Sequence, residues 1–124
     1  VLDFWFIGCG PCHRDMPQIK VAHEGFSSDR FAVVSVHNNS MKPDIVKAFA
    51  DDNGMEYAIV VDDSDGEILR QYRSLGVYSY PTYILIDPNG KIAINDALAS
   101  GPSLRQHKLE LIHQTLQSWN WQAE

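Results

Sequence analysis

The chain has 124 residues, the size of one domain and long enough to bury a single core without staples. Hydrophobic residues make up 44% and charged residues 21%, which excludes a disordered chain, and the formal charge of −6 argues against nucleic acid or an anionic membrane as partner. No stretch approaches the roughly 20 apolar residues of a membrane span.

Val1 to Phe6 is an apolar run interrupted by Asp3 and reads as a strand buried on both faces. Gly8 and Gly10 break it. A helical period then begins at Pro11, with Met16, Ile19, His23 and Phe26 on one face and Pro17 inside the pattern, where a missing backbone donor should bend the helix. Phe31 to His37 reads as a second central strand. Pro43 opens a helix carrying Val46, Phe49 and Ala50 and ending near Asn53-Gly54. Ala58 to Val61 is a short strand. The acidic turn from Asp62 to Gly66 follows, and then a short helix from Glu67 to Leu75. Thr82 to Asp87 and Lys91 to Asn95 form a hairpin about Asp87-Pro88-Asn89-Gly90. Ser103 is a candidate cap for a last helix whose packed face holds Leu104, Leu111, Ile112, Leu116 and Trp119. The order β-α-β-α-β-α-β-β-α predicts helices on both faces of a mostly parallel sheet, made mixed by the closing hairpin.

The two cysteines, in Cys9-Gly10-Pro11-Cys12, are too few for a disulfide framework, and their spacing reads as redox, metal or haem attachment. Cys9 falls after a strand and at the start of a helix, where free N–H groups and the macrodipole favour a thiolate. Two intervening residues bring Cys12 round one turn, so a bond between them closes with little backbone movement. Cys9 is expected to be the exposed attacking thiol and Cys12 the more buried resolving one. A buried resolving thiol needs a base. Asp3 reads either as a buried carboxylate of raised pKa, suited to accept that proton, or as a polar residue at a sheet edge.

Asp3-Phe4-Trp5, Cys9-Gly10-Pro11-Cys12 and Pro17 resemble thioredoxin. Tyr80-Pro81-Thr82 resembles the cis-proline site of that fold. The segment Ser79 to Ile92, with the added strand and helix between Ala58 and Leu75, resembles the TlpA/ResA-like thiol–disulfide oxidoreductases. The resemblance spans roughly Val1 to Leu116. It implies a thioredoxin-like three-layer α/β/α sandwich with a mixed, mostly parallel central sheet and a C-terminal β-hairpin plus helix. It also implies one domain over residues 1–124 that lacks the usual first strand and helix of the fold. Because the chain begins at Val1, inside an apolar run, it is expected to be a piece of a longer polypeptide.

By the same resemblance Cys9 is the nucleophile, Cys12 the resolving thiol and Asp3 the proton acceptor. Asp15 matches a Glu of the ResA-like branch but is one methylene shorter; its other reading is a solvated first-turn acid favoured by the helix dipole. Trp5, Gly10, Pro11, Tyr80 and Pro81 are the implied substrate-binding residues, with Trp5 the aromatic that packs beneath the active site; its other reading is simple core packing. Pro81 follows a cis bond, and the Tyr80 backbone is left to pair with an extended substrate. Thioredoxin usually has Trp before the first cysteine; Gly8 stands there and should leave the mouth of Cys9 more open. The implied partners are protein cysteines and an upstream thiol electron donor, with no organic cofactor and no metal. The implied setting is extracytoplasmic, and the chain is expected to be monomeric. The Gly-Pro pair between the cysteines points to a reductant, and the branch includes proteins that serve cytochrome c maturation.

Competing readings have weaker support. Cys9-x-x-Cys12-His13 fits a c-type haem attachment motif, but a β-strand leads into it. Zinc lacks a second ligand pair, since His23, His37, His107 and His113 show no paired spacing and are expected on element surfaces. A peroxiredoxin needs a Thr three residues before its cysteine, where Phe6 stands. The acidic turn lacks the spacing of a calcium loop and reads as solvated. A redox-inactive binding or sensing module of a larger protein is the non-enzymatic alternative.

Overall fold

Five apolar runs form strands in a computed structural model that describes residues 1–26, 31–96 and 102–119, with side chains of the last helix from Leu109 onward. In chain order the elements are β1 (Leu2–Trp5), α1 (Gly10–Gly25), β2 (Val34–His37), α2 (Pro43–Asp52), β3 (Ala58–Val61), α3 (Glu67–Arg73), β4 (Thr82–Ile86), β5 (Ile92–Asn95) and α4 (Pro102–Ser118). The expected order is present. β2 is shorter than the run from Phe31, because β1 offers it a partner only from Leu2 onward, where Leu2 pairs with Val34. Phe31 and Val33 still reach the core from the segment before the strand.

The sheet order is β3-β2-β1-β4-β5. β1, β2 and β3 are parallel; β4 is antiparallel to β1, and β5 to β4. The strand that runs against the others is therefore β4, inside the sheet, rather than the closing strand of the hairpin. Moving from β1 to β2 to β3 steps one way across the sheet, so right-handed crossovers put α1 and α2 on the same face. α4 joins them there: Met16 and Ile19, Val46 and Ala50, and Ile112 and Leu116 share one buried cluster. α3 alone packs the other face, through Leu69 against Phe4, Val36 and Ile84.

Two expectations for α4 are corrected. The helix starts at Pro102, so Ser103 falls inside its first turn rather than capping it. Ile112, Leu116 and Trp119 pack inward at a spacing of four and three, whereas Leu111, one residue off that stripe, is exposed. Leu104 lies outside the described side chains.

Asp62 is also not the solvated turn residue expected. It is buried, and its carboxylate accepts the amides of Asp63 and Ile68 at Oδ1 and of Leu69 at Oδ2, at 2.9–3.1 Å. It thus satisfies first-turn donors of α3 that would otherwise be orphaned. Gly66, at φ 67°, makes the left-handed turn into that helix.

The register positions the site. Phe4 lies opposite Thr82, so Pro81 arrives beside the carboxyl end of β1, where the chain leaves the sheet for Cys9.

Candidate active site

The chain turns immediately after β1, with the Cys9 amide donating to the Phe6 carbonyl at 3.1 Å. Cys9 is the N-cap of α1, in extended conformation, and its Sγ accepts the Cys12 amide at 3.2 Å. Sulfur occupies the place that a serine or threonine oxygen takes at other helix starts. Cys9 and Cys12 form a disulfide with Cα atoms 5.3 Å apart. The expected contrast between an exposed Cys9 and a buried Cys12 is absent in this oxidised form. They are 4% and 5% exposed, because the bond draws both sulfurs over the same first turn.

Nor is the mouth left open at Gly8. A Cβ there would lie 3.3 Å from the Phe6 ring, so that ring already fills the space, and it meets Tyr80 edge-on with centroids 5.3 Å apart. Gly10 and Pro11 are exposed on the first turn, and nothing within 4 Å would obstruct a side chain at Gly10. Tyr80 and Pro81 are half-buried, and the peptide bond between them is cis.

Asp3 is buried in β1, on the face that carries Trp5 and the disulfide cluster. Its direct neighbours in register are Ser35 on β2 and Tyr83 on β4. Ser35 donates its hydroxyl to Asp3 Oδ2 at 3.2 Å. Tyr83 is 1% exposed, and its hydroxyl donates to Oδ2 of Asp15, three residues after Cys12, at 3.0 Å. Asp15 is therefore tied to the sheet rather than left as a solvated first-turn acid. Burial pushes the Tyr83 phenol far above its usual pKa; the charges of Asp3 and Asp15 and the bond to Asp15 add to this, with Asp96 last. Tyr57 is pushed up likewise, first by burial and then by Asp3. Tyr83 consequently stays a donor at physiological pH.

The histidines depart most from expectation. His37, expected at a surface, is fully buried at the end of β2. Its Nδ1 donates to the Asn38 carbonyl at 2.6 Å, its Nε2 accepts the Ile7 amide at 3.0 Å, and its ring meets Trp5 edge-on at 4.9 Å. Burial pushes its pKa below the usual 6.5, partly offset by the bond to Asn38. His13 reaches the Ile7 carbonyl with Nε2 and packs edge-on against Phe49 at 5.3 Å. His23 and His113 are half-buried against Tyr57 and Phe26, and the His107 side chain lies outside the described residues. Among the described residues, no group of three or more His, Cys, Asp or Glu side chains is placed to hold a metal ion.

The sequence does not single out Ser35, His37 or Tyr83. A signal for the first two exists: they are polar, two apart, in an otherwise apolar strand, so strand period puts both on one face.

Comparison with known proteins gives the family and the fold. The AhpC/TSA family profile matches residues 1–94. The chain belongs to the AhpC/TSA family. The chain is 30% identical over 94 residues to sporulation thiol-disulfide oxidoreductase A of Bacillus subtilis (strain 168), covering 74% of this chain and 54% of that protein. It is 34% identical over 91 residues to thiol-disulfide oxidoreductase ResA of Geobacillus thermodenitrificans (strain NG80-2), covering 73% and 49%. This AhpC/TSA-family chain thus spans about half the length of the curated relatives it matches.

Among solved structures, StoA of Bacillus subtilis superposes with a TM-score of 0.64 at 27% identity, covering 88% of this chain and 78% of that one. The thioredoxin domain of a thiol-disulfide oxidoreductase from Bacteroides vulgatus gives 0.66 at 24%, covering 89% and 76%. The family member is therefore a thioredoxin-fold protein of the TlpA/ResA-like branch.

Proposed function

We propose that this chain is a thiol–disulfide oxidoreductase that reduces disulfides of protein substrates. The observation that carries the reading is the Cys9 sulfur at the N-cap of α1, accepting the Cys12 amide within a Cys9–Cys12 disulfide. In the reduced chain the same amide and the helix dipole favour the Cys9 thiolate.

The Cys9 thiolate attacks one sulfur of the substrate disulfide, forming a mixed disulfide and releasing the first substrate thiolate. Cys12 then loses its proton to Asp3 and attacks the Cys9 sulfur, breaking the mixed disulfide and releasing the second substrate thiolate. The substrate gains two electrons, and the chain is left as the intramolecular disulfide described above. An upstream dithiol donor restores it. All electrons pass between sulfur atoms, so the exchange calls for neither an organic cofactor nor a metal. Gly10, Pro11, Tyr80 and Pro81 form the substrate-facing surface in this reading, with the Tyr80 backbone pairing to an extended segment, while Trp5, 1% exposed, packs beneath the site rather than facing substrate. Asp15, fixed by Tyr83, tunes the cysteines.

The reading includes one redox domain acting as a monomer in an extracytoplasmic setting, with cysteine pairs of cytochrome c maturation among its substrates. No helix among the described residues is long and apolar enough to cross a membrane. The Gly-Pro pair supports a reductant, with a potential near that of thioredoxin, about −270 mV, rather than near the roughly −120 mV of a strong oxidant. A peroxidase has less support: position 6, three before Cys9, offers a Phe ring packed on Tyr80 instead of a hydroxyl.

Insulin reduction by dithiothreitol tests the proposal. The chain should accelerate precipitation, and Cys9→Ser should abolish the acceleration. A wild-type chain that leaves the dithiothreitol rate unchanged would instead be a binding or sensing module.

A further inference from the structure

The peptide groups of Ile7 are held from two sides by histidines that the exchange steps do not use. Its amide donates to His37 Nε2 at 3.0 Å, and its carbonyl accepts from His13 Nε2. The two rings must be in opposite tautomers. His37 carries its proton on Nδ1, where the Asn38 carbonyl accepts it, and this leaves a bare lone pair on Nε2 for Ile7. His13 must carry its proton on Nε2 to serve a carbonyl. Burying a whole imidazole is tolerable because both nitrogens of His37 are bonded.

The clamp lies on the segment that joins the sheet to the attacking cysteine. Phe6 to Gly8 belong to neither β1 nor α1, and they carry the chain from the sheet to Cys9. In the oxidised chain the disulfide also fixes Cys9. Reduction removes that bond, leaving the turn itself, the Phe6–Cys9 hydrogen bond and the two histidines to keep the sulfur at the helix start. His13 follows Cys12 directly in α1, so its bond to Ile7 ties the resolving end of the motif back to the approach of the attacking end.

We infer that His37 and His13 are positioning residues that hold the Ile7 backbone and thereby keep the Cys9 sulfur aimed at the first-turn amides of α1 when the disulfide is open. The inference rests on the exchange reading given above for its functional meaning, but its geometry can be tested separately.

Two measurements on the full chain test it. A 15N spectrum of the wild-type imidazoles should find His37 with its proton on Nδ1; a proton on Nε2 would overturn the clamp without any variant. Iodoacetamide labelling of the reduced chain across pH gives the midpoint for Cys9 whether or not insulin is a substrate. His37→Phe, which keeps a ring against Trp5 but offers no acceptor, should raise that midpoint and slow labelling at neutral pH about tenfold, the worth of roughly one buried hydrogen bond. His37→Gln, whose amide oxygen reaches the place of Nε2, should recover most of the rate. Equal impairment in Phe and Gln, or a folded Phe variant that titrates like wild type, would sink the inference. Should His37→Phe fail to fold, the pair His13→Leu and His13→Gln puts the same question from the other side of Ile7, with loss expected in the first and recovery in the second. A chain that fails with insulin but shows these labelling shifts loses the proposed function and keeps the clamp.

Discussion

Asp3 and Trp5 point to one side of the sheet, and Leu2 and Phe4 to the other. On the first side, buried polar groups are threaded through the core: Asp3 with Ser35, Tyr83 with Asp15, and His37 with Ile7 and Asn38. On the second side, Phe4, Val36, Leu69, Val77 and Ile84 make an apolar cluster under one short helix. Two residues adjacent in sequence therefore do different work because strand side chains alternate. The polar side carries groups that cost free energy to bury, a cost their hydrogen bonds offset. The other side is held mainly by apolar burial, at about 25 cal/mol per Å², with Thr82 the buried polar residue opposite Phe4, its hydroxyl donating to the Ser79 carbonyl at 2.7 Å.

The widest separation between the two sides should come from Phe4→Ala. Phe4 is fully buried, with its ring 5.1 Å from that of Tyr72. Its truncation should cost about 3–5 kcal/mol in urea unfolding. Insulin reduction per folded molecule should not change. A loss of activity beyond the loss of folded protein would mean that the two sides are coupled through β1.

The converse variant is Asp3→Asn, nearly isosteric and on the other side of the same strand. It should leave the unfolding midpoint close to wild type but slow resolution of a trapped mixed disulfide about 100-fold, within the range of general-base contributions. Stopped-flow release of a substrate thiol would measure this. Wild-type resolution would remove Asp3 from the proton-transfer step.

Tyr83→Phe should have a smaller effect. Removing one buried hydroxyl from Asp15 should cost about 1 kcal/mol of stability. Asp15→Asn keeps an acceptor for Tyr83 and should be milder. If both variants unfold like wild type, the 3.0 Å contact contributes no net stability.

The same two sides explain what the sequence discloses. Phe4 and Ile84 are legible because they lie in runs that read as strands, whereas for Leu69 the sequence discloses its helix and not its inward face. Cys9, Cys12 and Asp3 are legible because a charge in an apolar strand and a Cys pair at a helix start each break a pattern. Ser35 and His37 leave only a faint mark, two polar residues two apart in an apolar strand, and Tyr83 leaves none, because their roles depend on partners 30 or more residues away in the chain. Leu111 and the burial of Cys9 fail for a related reason: a helical stripe is wide, and one residue of rotation or one covalent bond decides which side chain faces inward.

The least expected effect lies in the pH dependence of stability, and His37 sets its sign. Burial holds the folded pKa of His37 below 6.5, with the bond to the Asn38 carbonyl opposing part of the shift. The unfolded chain therefore takes up the proton first as pH falls through about 6.5, while the folded chain still excludes it. In that window the unfolded state binds more protons, so stability rises with pH; the full contribution is present above 6.5 and is lost progressively below it. Protonation would also put an N–H on Nε2 facing the Ile7 amide, donor against donor, so the fold resists the charge at the very atom that holds the turn. Urea unfolding from about pH 8 down to about pH 5, above the ordinary carboxylate range, should show this decline. His37→Gln removes the titrating group while leaving His13, His23 and His113 in place. The difference between the two curves isolates the His37 term. A difference that is flat with pH, or one that grows in favour of wild type as pH falls, would mean that the folded chain accepts the proton on His37 as readily as the unfolded one or more so, and the polar side of the sheet would then be less closed than its hydrogen bonds imply.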